Sequence, residues 1–214
     1  MTSNTVGGSG NIFTLLDQGC IGVCRDGSGA GQTAKQNKAS RLVPDLIETA
    51  GLRQVSSLEE GIMQARLDVP KVAPEVYKAM SALEICVGHS GIELSLLELV
   101  RTRASQINGC AFCLDMHTKD ARAHGETEQR LYTLSAWRET PFFSGRERAA
   151  LAWTEAVTQV AESQVPDDVY QAACEHFTEK ELANLTLAIV AINGWNRLAI
   201  AFRKEPGTYQ AATT

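Results

Sequence analysis

The chemistry legible in this sequence is concentrated in Cys110-Ala-Phe-Cys113 and in His117, four residues after the second cysteine. On a helix, spacings of three and four residues place both sulfurs and the imidazole along one stripe, where they can act together. A cysteine in the first turn of a helix meets unsatisfied N–H groups and the positive end of the macrodipole, which favours thiolate over thiol. Cys110 has that position. Cys113 is close enough to His117 for the imidazole to take its proton directly or through a water, which makes it the better candidate for attack. Glu98 belongs to the preceding helix. If Asn108-Gly109 folds that helix back alongside, the Glu98 carboxylate orients or charges the imidazole, giving a three-link relay of Glu98, His117 and Cys113.

Other readings of the same residues stay open at this level. A CxxC with a nearby histidine is half a zinc site, but structural zinc asks for four ligands and no second CxxC or HxxxH lies at suitable spacing. Two inert cysteines buried on a core helix are a further reading, since free cysteine is among the most buried residue types. Glu98, three residues before Arg101, also fits a solvated surface pair. Cys86 and Cys174 are expected as small core residues, and His124 and His176 as surface groups near helix ends. His89 falls in the Gly88–Gly91 break, and Cys20-x3-Cys24 offers at most an adventitious disulfide. Asn193, Trp195, Asn196 and Arg197 need partners if buried, either around the thiols or between helices.

The elements that must position these groups are helical. From about Ser40, apolar residues recur at three- and four-residue spacings with almost no strand alternation, so an all-α domain over 41–214 is expected. A short helix follows Pro44, a second spans about Ala73–Val87 with Pro74 in its first turn, and a third carries Leu94, Leu97, Val100, Ala104 and Ile107. Asn108-Gly109 ends the third. The next runs from Cys110 to about His124, and a short one covers Glu126–Trp137. Ser144-Gly-Arg-Glu147 and Thr178-Glu-Lys-Glu181 read as capping boxes, opening helices to about Glu162 and Phe202. Between them, Pro166-Asp-Asp168 opens another. In the last helix Leu182, Leu185, Ile189, Ile192, Asn196 and Ala199 follow a heptad-like spacing, as in a core helix or one at a subunit interface.

At 214 residues, with 44% hydrophobic and 21% charged side chains, the chain is long enough for one well-buried domain. Residues 1–40 hold 8 of the 17 glycines and little apolar surface, and are expected to form a flexible extension. The net charge of −5 and the lack of a basic run exclude a phosphate-tracking, nucleic-acid-binding surface. The apolar run Leu185–Ile192 falls well short of the roughly 20 residues of a membrane span. With no secretory h-region near Ile12–Leu16 a cytoplasmic protein is expected, whose thiols stay reduced unless they have a redox or metal role.

Around these residues the sequence is familiar. The run from Glu98 through Ser105-Gln-Ile-Asn108-Gly to Cys110-Ala-Phe-Cys113 and His117 resembles the alkylhydroperoxidase D-like core of the carboxymuconolactone decarboxylase superfamily. The similarity extends from about Met63 to Tyr209 and includes Asn193-Gly-Trp-Asn-Arg197. It implies an all-helical fold, trimers or hexamers, and a thiol active site without cofactor, metal or flavin. By position, Cys113 is the thiol that meets the hydroperoxide, Cys110 its resolving partner, and His117 with Glu98 the proton relay, with an external dithiol or protein as reductant. Phe112 stands where some peroxidase members carry a histidine, which implies a shorter relay. Two alternatives are a helical assembly protein with a redox-sensitive CxxC and a lactone decarboxylase; a decarboxylase needs a proton-donating acid and carboxylate support rather than paired thiols.

Overall fold

The computed structural model describes residues 64–212, and every described element is helical. The expectations for the extension over 1–40, the helix after Pro44 and Cys20-x3-Cys24 fall outside the described residues. α1 (Val69–Val72) is a single turn, and α2 (Pro74–Gly88) starts with proline in its first turn as expected. α3 (Leu94–Asn108) is the centre of the fold. It packs against α4 (Ala111–Ala123), α6 (Gly145–Thr158) and α9 (Glu179–Ala201), and from Leu96 to Val100 every side chain is buried. Leu94, counted with the apolar stripe, is instead exposed at the first turn.

The two capping boxes are present, each with hydroxyl and carboxylate exchanging bonds with backbone N–H groups. The helix opened by Ser144 stops at Thr158 rather than near Glu162. There Gln159 leaves helical geometry, α7 (Val160–Ser163) follows as a separate turn, and the Ser163 hydroxyl donates to the Ala156 carbonyl at 2.6 Å. The expected Glu126–Trp137 helix likewise divides into α5 (Glu128–Thr133) and a 3-10 segment (Leu134–Glu139), kinked at Ala136. This tightening carries Trp137 into the core, where its Nε1 donates to Glu155 Oε1 at 2.8 Å. α8 (Asp167–Cys174) then leads to α9, whose heptad-spaced residues Leu182, Leu185, Ile189, Ile192, Asn196 and Ala199 are all buried.

Cys86 and Cys174 are both exposed, against the expectation of core placement. Their neighbours Val87 and Ala173 occupy the inward positions, and the step of roughly 100° between successive helical side chains turns each cysteine off that line on these outer helices.

The turn between α3 and α4 decides where the chemistry sits. Gly109 adopts φ 70°, the left-handed region that glycine enters without a Cβ penalty, and the Cys110 N–H donates back to the Ser105 carbonyl at 3.0 Å. Nothing lies within 4 Å of a Cβ added to Gly109, so a substitution there costs backbone conformation alone. Gly109→Ala is therefore expected to destabilise the fold by about 1–2 kcal/mol, measured by thermal or denaturant unfolding. An unchanged midpoint would show that the turn relaxes freely.

Candidate active site

Cys110 is the N-cap of α4 and Cys113 its third residue, so the sequence-predicted cysteines stand at the positive end of the helix. They form a disulfide with Cα atoms 5.4 Å apart, inside the range that disulfide geometry permits. The Cys113 N–H donates to Cys110 Sγ at 3.4 Å, so the cap partner of this helix is a sulfur. Both cysteines are buried, at 0% and 2% exposure, in a cluster with Ala104, Ile192 and Ala199, flanked by Phe112 and Trp195. The Lys204 ammonium lies 4.1 Å above the Phe112 ring, between the two sulfur positions in sequence.

His117 lies one turn beyond Cys113 on α4 and is buried. Its Nδ1 is 2.9 Å from Glu98 Oε2. An ionised carboxylate only accepts, so Nδ1–H is the donor and Nε2 is left as the basic nitrogen. The Asn108-Gly109 turn thus brings Glu98 of α3 to His117 of α4, as the relay requires. Glu98 is 3% exposed, and its other oxygen, Oε1, accepts from Arg101 Nη1 at 2.7 Å. The Glu98–Arg101 pair exists, but in the interior rather than on a solvated face. Burial pushes the Glu98 carboxyl up; the His117 hydrogen bond and charge, together with Arg101, outweigh it and hold the group below its ordinary value.

That direction carries a stability consequence. A carboxyl whose folded value lies below its unfolded value near 4.5 adds stability above that pH, and the stability is lost as pH falls through the folded value. Glu98→Gln is expected to melt with a shallower loss of Tm between about pH 5 and pH 3 than the parent protein. Parallel curves would contradict the ion pair.

Three groups around the relay were not found from sequence. Glu84 of α2 accepts from Arg101 Nη2 at 2.6 Å and, through its other oxygen, from Trp195 Nε1 of α9 at 3.1 Å. Asp120 lies beside Glu98 and His117, with one ligand-type atom from each within 4.8 Å of the others. Tyr209 donates its hydroxyl to Asp120 at 2.7 Å; burial, this bond and the Asp120 and Glu98 charges push its phenol up to about 12. We assign no metal to Glu98, His117 and Asp120. Both Glu98 oxygens are engaged, one by a guanidinium, and the Asp120 carboxylate accepts from Tyr209. The pairings of Glu84 join residues 17 and 111 positions apart, for which local spacing gives no signal.

The asparagines resolve toward inter-helix bonding. Asn108 Nδ2 donates to Asn193 Oδ1 and Asn196 Oδ1 at 2.9 and 2.8 Å, and Asn196 Nδ2 to Ser105 Oγ at 3.1 Å, tying α3 to α9 behind the thiols. Arg197 donates to the Asn193 carbonyl. His124 and His89 bond the carbonyls of Asp120 and Ile85 near helix ends, and His176 packs against Gly145 on the surface.

An all-helical fold with a buried cysteine pair in the first turn of one helix, backed by a carboxylate–imidazole pair, defines the class. The carboxymuconolactone decarboxylase family profile matches residues 74–156, which contain all four of these groups. The uncharacterised protein YdfG of Bacillus subtilis is 46% identical over 139 residues, covering 65% of this chain and 95% of that protein. A crystal structure of an Agrobacterium tumefaciens protein of unknown function, provisionally named for antioxidant defence as AhpD, superposes with a TM-score of 0.66. It shares 44% identity over 68% of this chain and 100% of that one. Alkyl hydroperoxide reductase AhpD of Hyphomonas neptunium is 40% identical over 45 residues, 21% of this chain and 25% of that protein. The chain belongs to the alkylhydroperoxidase D-like, carboxymuconolactone decarboxylase superfamily. Membership places it among peroxidase-related and decarboxylase-like proteins. Among the described residues no helix is long and apolar enough to cross a membrane.

Proposed function

We propose that this protein reduces organic hydroperoxides through the Cys110–Cys113 dithiol. In the reduced chain His117 Nε2 takes the Cys113 proton, and the thiolate attacks the terminal oxygen of ROOH. The O–O bond breaks, Cys113 becomes a sulfenic acid, and the alkoxide takes the proton held by His117 to leave as ROH. Cys110 sulfur then attacks Cys113 sulfur; the S–O bond breaks, and hydroxide leaves with the Cys110 proton as water. The pair has given up two electrons. An external dithiol returns two electrons and two protons by thiol–disulfide exchange, and the sum is one hydroperoxide and one dithiol giving an alcohol, water and a disulfide.

One observation carries this reading: a cysteine pair with Cα atoms 5.4 Å apart, close enough to be bridged, in the first turn of a helix and one turn from an imidazole held by a buried carboxylate. A lactone decarboxylase, the alternative reading, needs a proton-donating acid and support for the substrate carboxylate and has no use for paired thiols. Self-association into trimers or hexamers belongs to the same proposal. Val72, Ile85, Tyr132 and Val160, large apolar side chains left more than half exposed on one chain, support it.

The test is stoichiometric. Reduced protein given one equivalent of cumene hydroperoxide should yield one equivalent of alcohol and lose two thiols, with mass spectrometry finding them joined as Cys110–Cys113. Exposed Cys86 and Cys174 should remain open to alkylation. Unconsumed peroxide with both α4 thiols intact would refute the proposal.

A further inference from the structure

A chain of charge-assisted hydrogen bonds leaves the relay at Glu98 and returns to the thiols by another route. Glu98 Oε1 accepts from Arg101 Nη1, Arg101 Nη2 donates to Glu84 Oε2, and Glu84 Oε1 accepts from Trp195 Nε1. Trp195 in turn packs against the cluster that encloses Cys110 and Cys113 and meets Tyr77 edge-on at 5.4 Å. The network joins α2, α3, α4 and α9. Arg101 is 11% exposed and Glu84 30%, so these bonds sit where they are not fully screened by water.

The arrangement is more specific than a buried ion pair. Each Glu98 oxygen has one partner, the imidazole on Oε2 and the guanidinium on Oε1. The planar fork of Arg101 spans two carboxylates, one at each Nη, and so fixes the plane of Glu98 as well as its charge. A buried carboxylate with no cation beside it tends to take up a proton, and a protonated Glu98 no longer offers His117 Nδ1–H the ionised acceptor that orients the ring and leaves Nε2 free.

We infer that Arg101, itself aimed by Glu84 and Trp195, is the positioning residue that keeps Glu98 ionised and oriented, and thereby sets how readily Cys113 gives up its proton. The inference rests on the dithiol reading of the site, but concerns formation of the thiolate rather than the oxidant. Asp120 on α4, with Tyr209 bound to it, also lies beside Glu98 and His117, and Lys204 beyond α9 lies above the Phe112 ring. None contacts Arg101. Removing the guanidinium therefore acts on Glu98 and Glu84.

The experiment follows the pH dependence of Cys113 alkylation by iodoacetamide in the full reduced chain, read by mass spectrometry, for the parent, Arg101→Met, Arg101→Lys and Glu84→Gln. Arg101→Met should move the midpoint up by about one pH unit or more, and Arg101→Lys should restore most of the parent value. Glu84→Gln should move it in the same direction by less, and serves as the test if Arg101→Met does not fold. An unmoved midpoint in a folded variant overturns the inference, because loss of packing alone changes Tm without changing thiolate formation. Hydroperoxide turnover is measured alongside. A shifted midpoint in a protein that never consumes hydroperoxide leaves the positioning role standing and removes the peroxidase reading, whereas turnover with an unmoved midpoint does the reverse.

Discussion

Cys113→Ser is expected to abolish hydroperoxide turnover, while Cys110→Ser is expected to react once and stop. The hydroxyl of serine at position 113 is far too weakly acidic for His117 to ionise, and oxygen is a poor nucleophile toward a peroxide bond, so the first step has no substitute. With Cys110 replaced, the Cys113 thiolate still forms and still breaks the O–O bond. The sulfenic acid then has no neighbouring thiol to condense with. One equivalent of alcohol appears, and a sulfenic-acid trap such as dimedone labels Cys113. Both substitutions conserve volume at nearly dry positions within Ala104, Ile192 and Ala199, so the fold should tolerate them. The reverse pattern, with labelling at Cys110 in Cys113→Ser, would exchange the two roles.

The second large effect is expected at His117. His117→Gln removes the group that accepts the Cys113 proton and returns it to the leaving alkoxide, a contribution of about 10²- to 10⁴-fold in general acid–base catalysis. The loss should be greatest near neutral pH and shrink as pH rises and solvent alone ionises the thiol. Steady-state rates of the variant and parent from about pH 6 to pH 9 check this. A constant ratio across that range would assign His117 a structural role instead. Glu98→Gln should follow the same trend with a smaller loss, since the imidazole keeps its place on α4 but loses the ionised acceptor that orients its Nδ1–H.

The local part of this site was legible in the sequence, and the reason is helical geometry. Cys110, Cys113 and His117 lie on one helix, so spacing alone places them, and Asn108-Gly109 announces the reversal that brings Glu98 alongside. The heptad-like run of α9 identified a buried helix, and the Ser144 and Thr178 boxes gave two helix starts. What was lost depends on burial and long-range pairing. Glu98 and Arg101 have the same spacing inside a protein as on its surface, so only the packing of α3 against α4 and α9 distinguishes the two. Glu84 and Trp195 meet because α2 and α9 pack together, which neither local pattern contains. Cys86 and Cys174 were misplaced because a residue's hydrophobicity does not fix its angle around the helix. The early stop of α6 at Thr158 is accompanied by a hydroxyl–carbonyl bond from Ser163 to Ala156, seven residues apart, a pairing that no local propensity encodes.

The central claim is that a dithiol backed by Glu98 and His117 turns over hydroperoxides. It is tested most directly by following cumene hydroperoxide consumption by catalytic amounts of the reduced full chain with excess dithiothreitol, corrected for the reaction of dithiothreitol alone. The account predicts many turnovers per chain, with one alcohol formed and one dithiol oxidised per hydroperoxide. Consumption no faster than in the protein-free control, with Cys110 and Cys113 still reduced at the end, would contradict it.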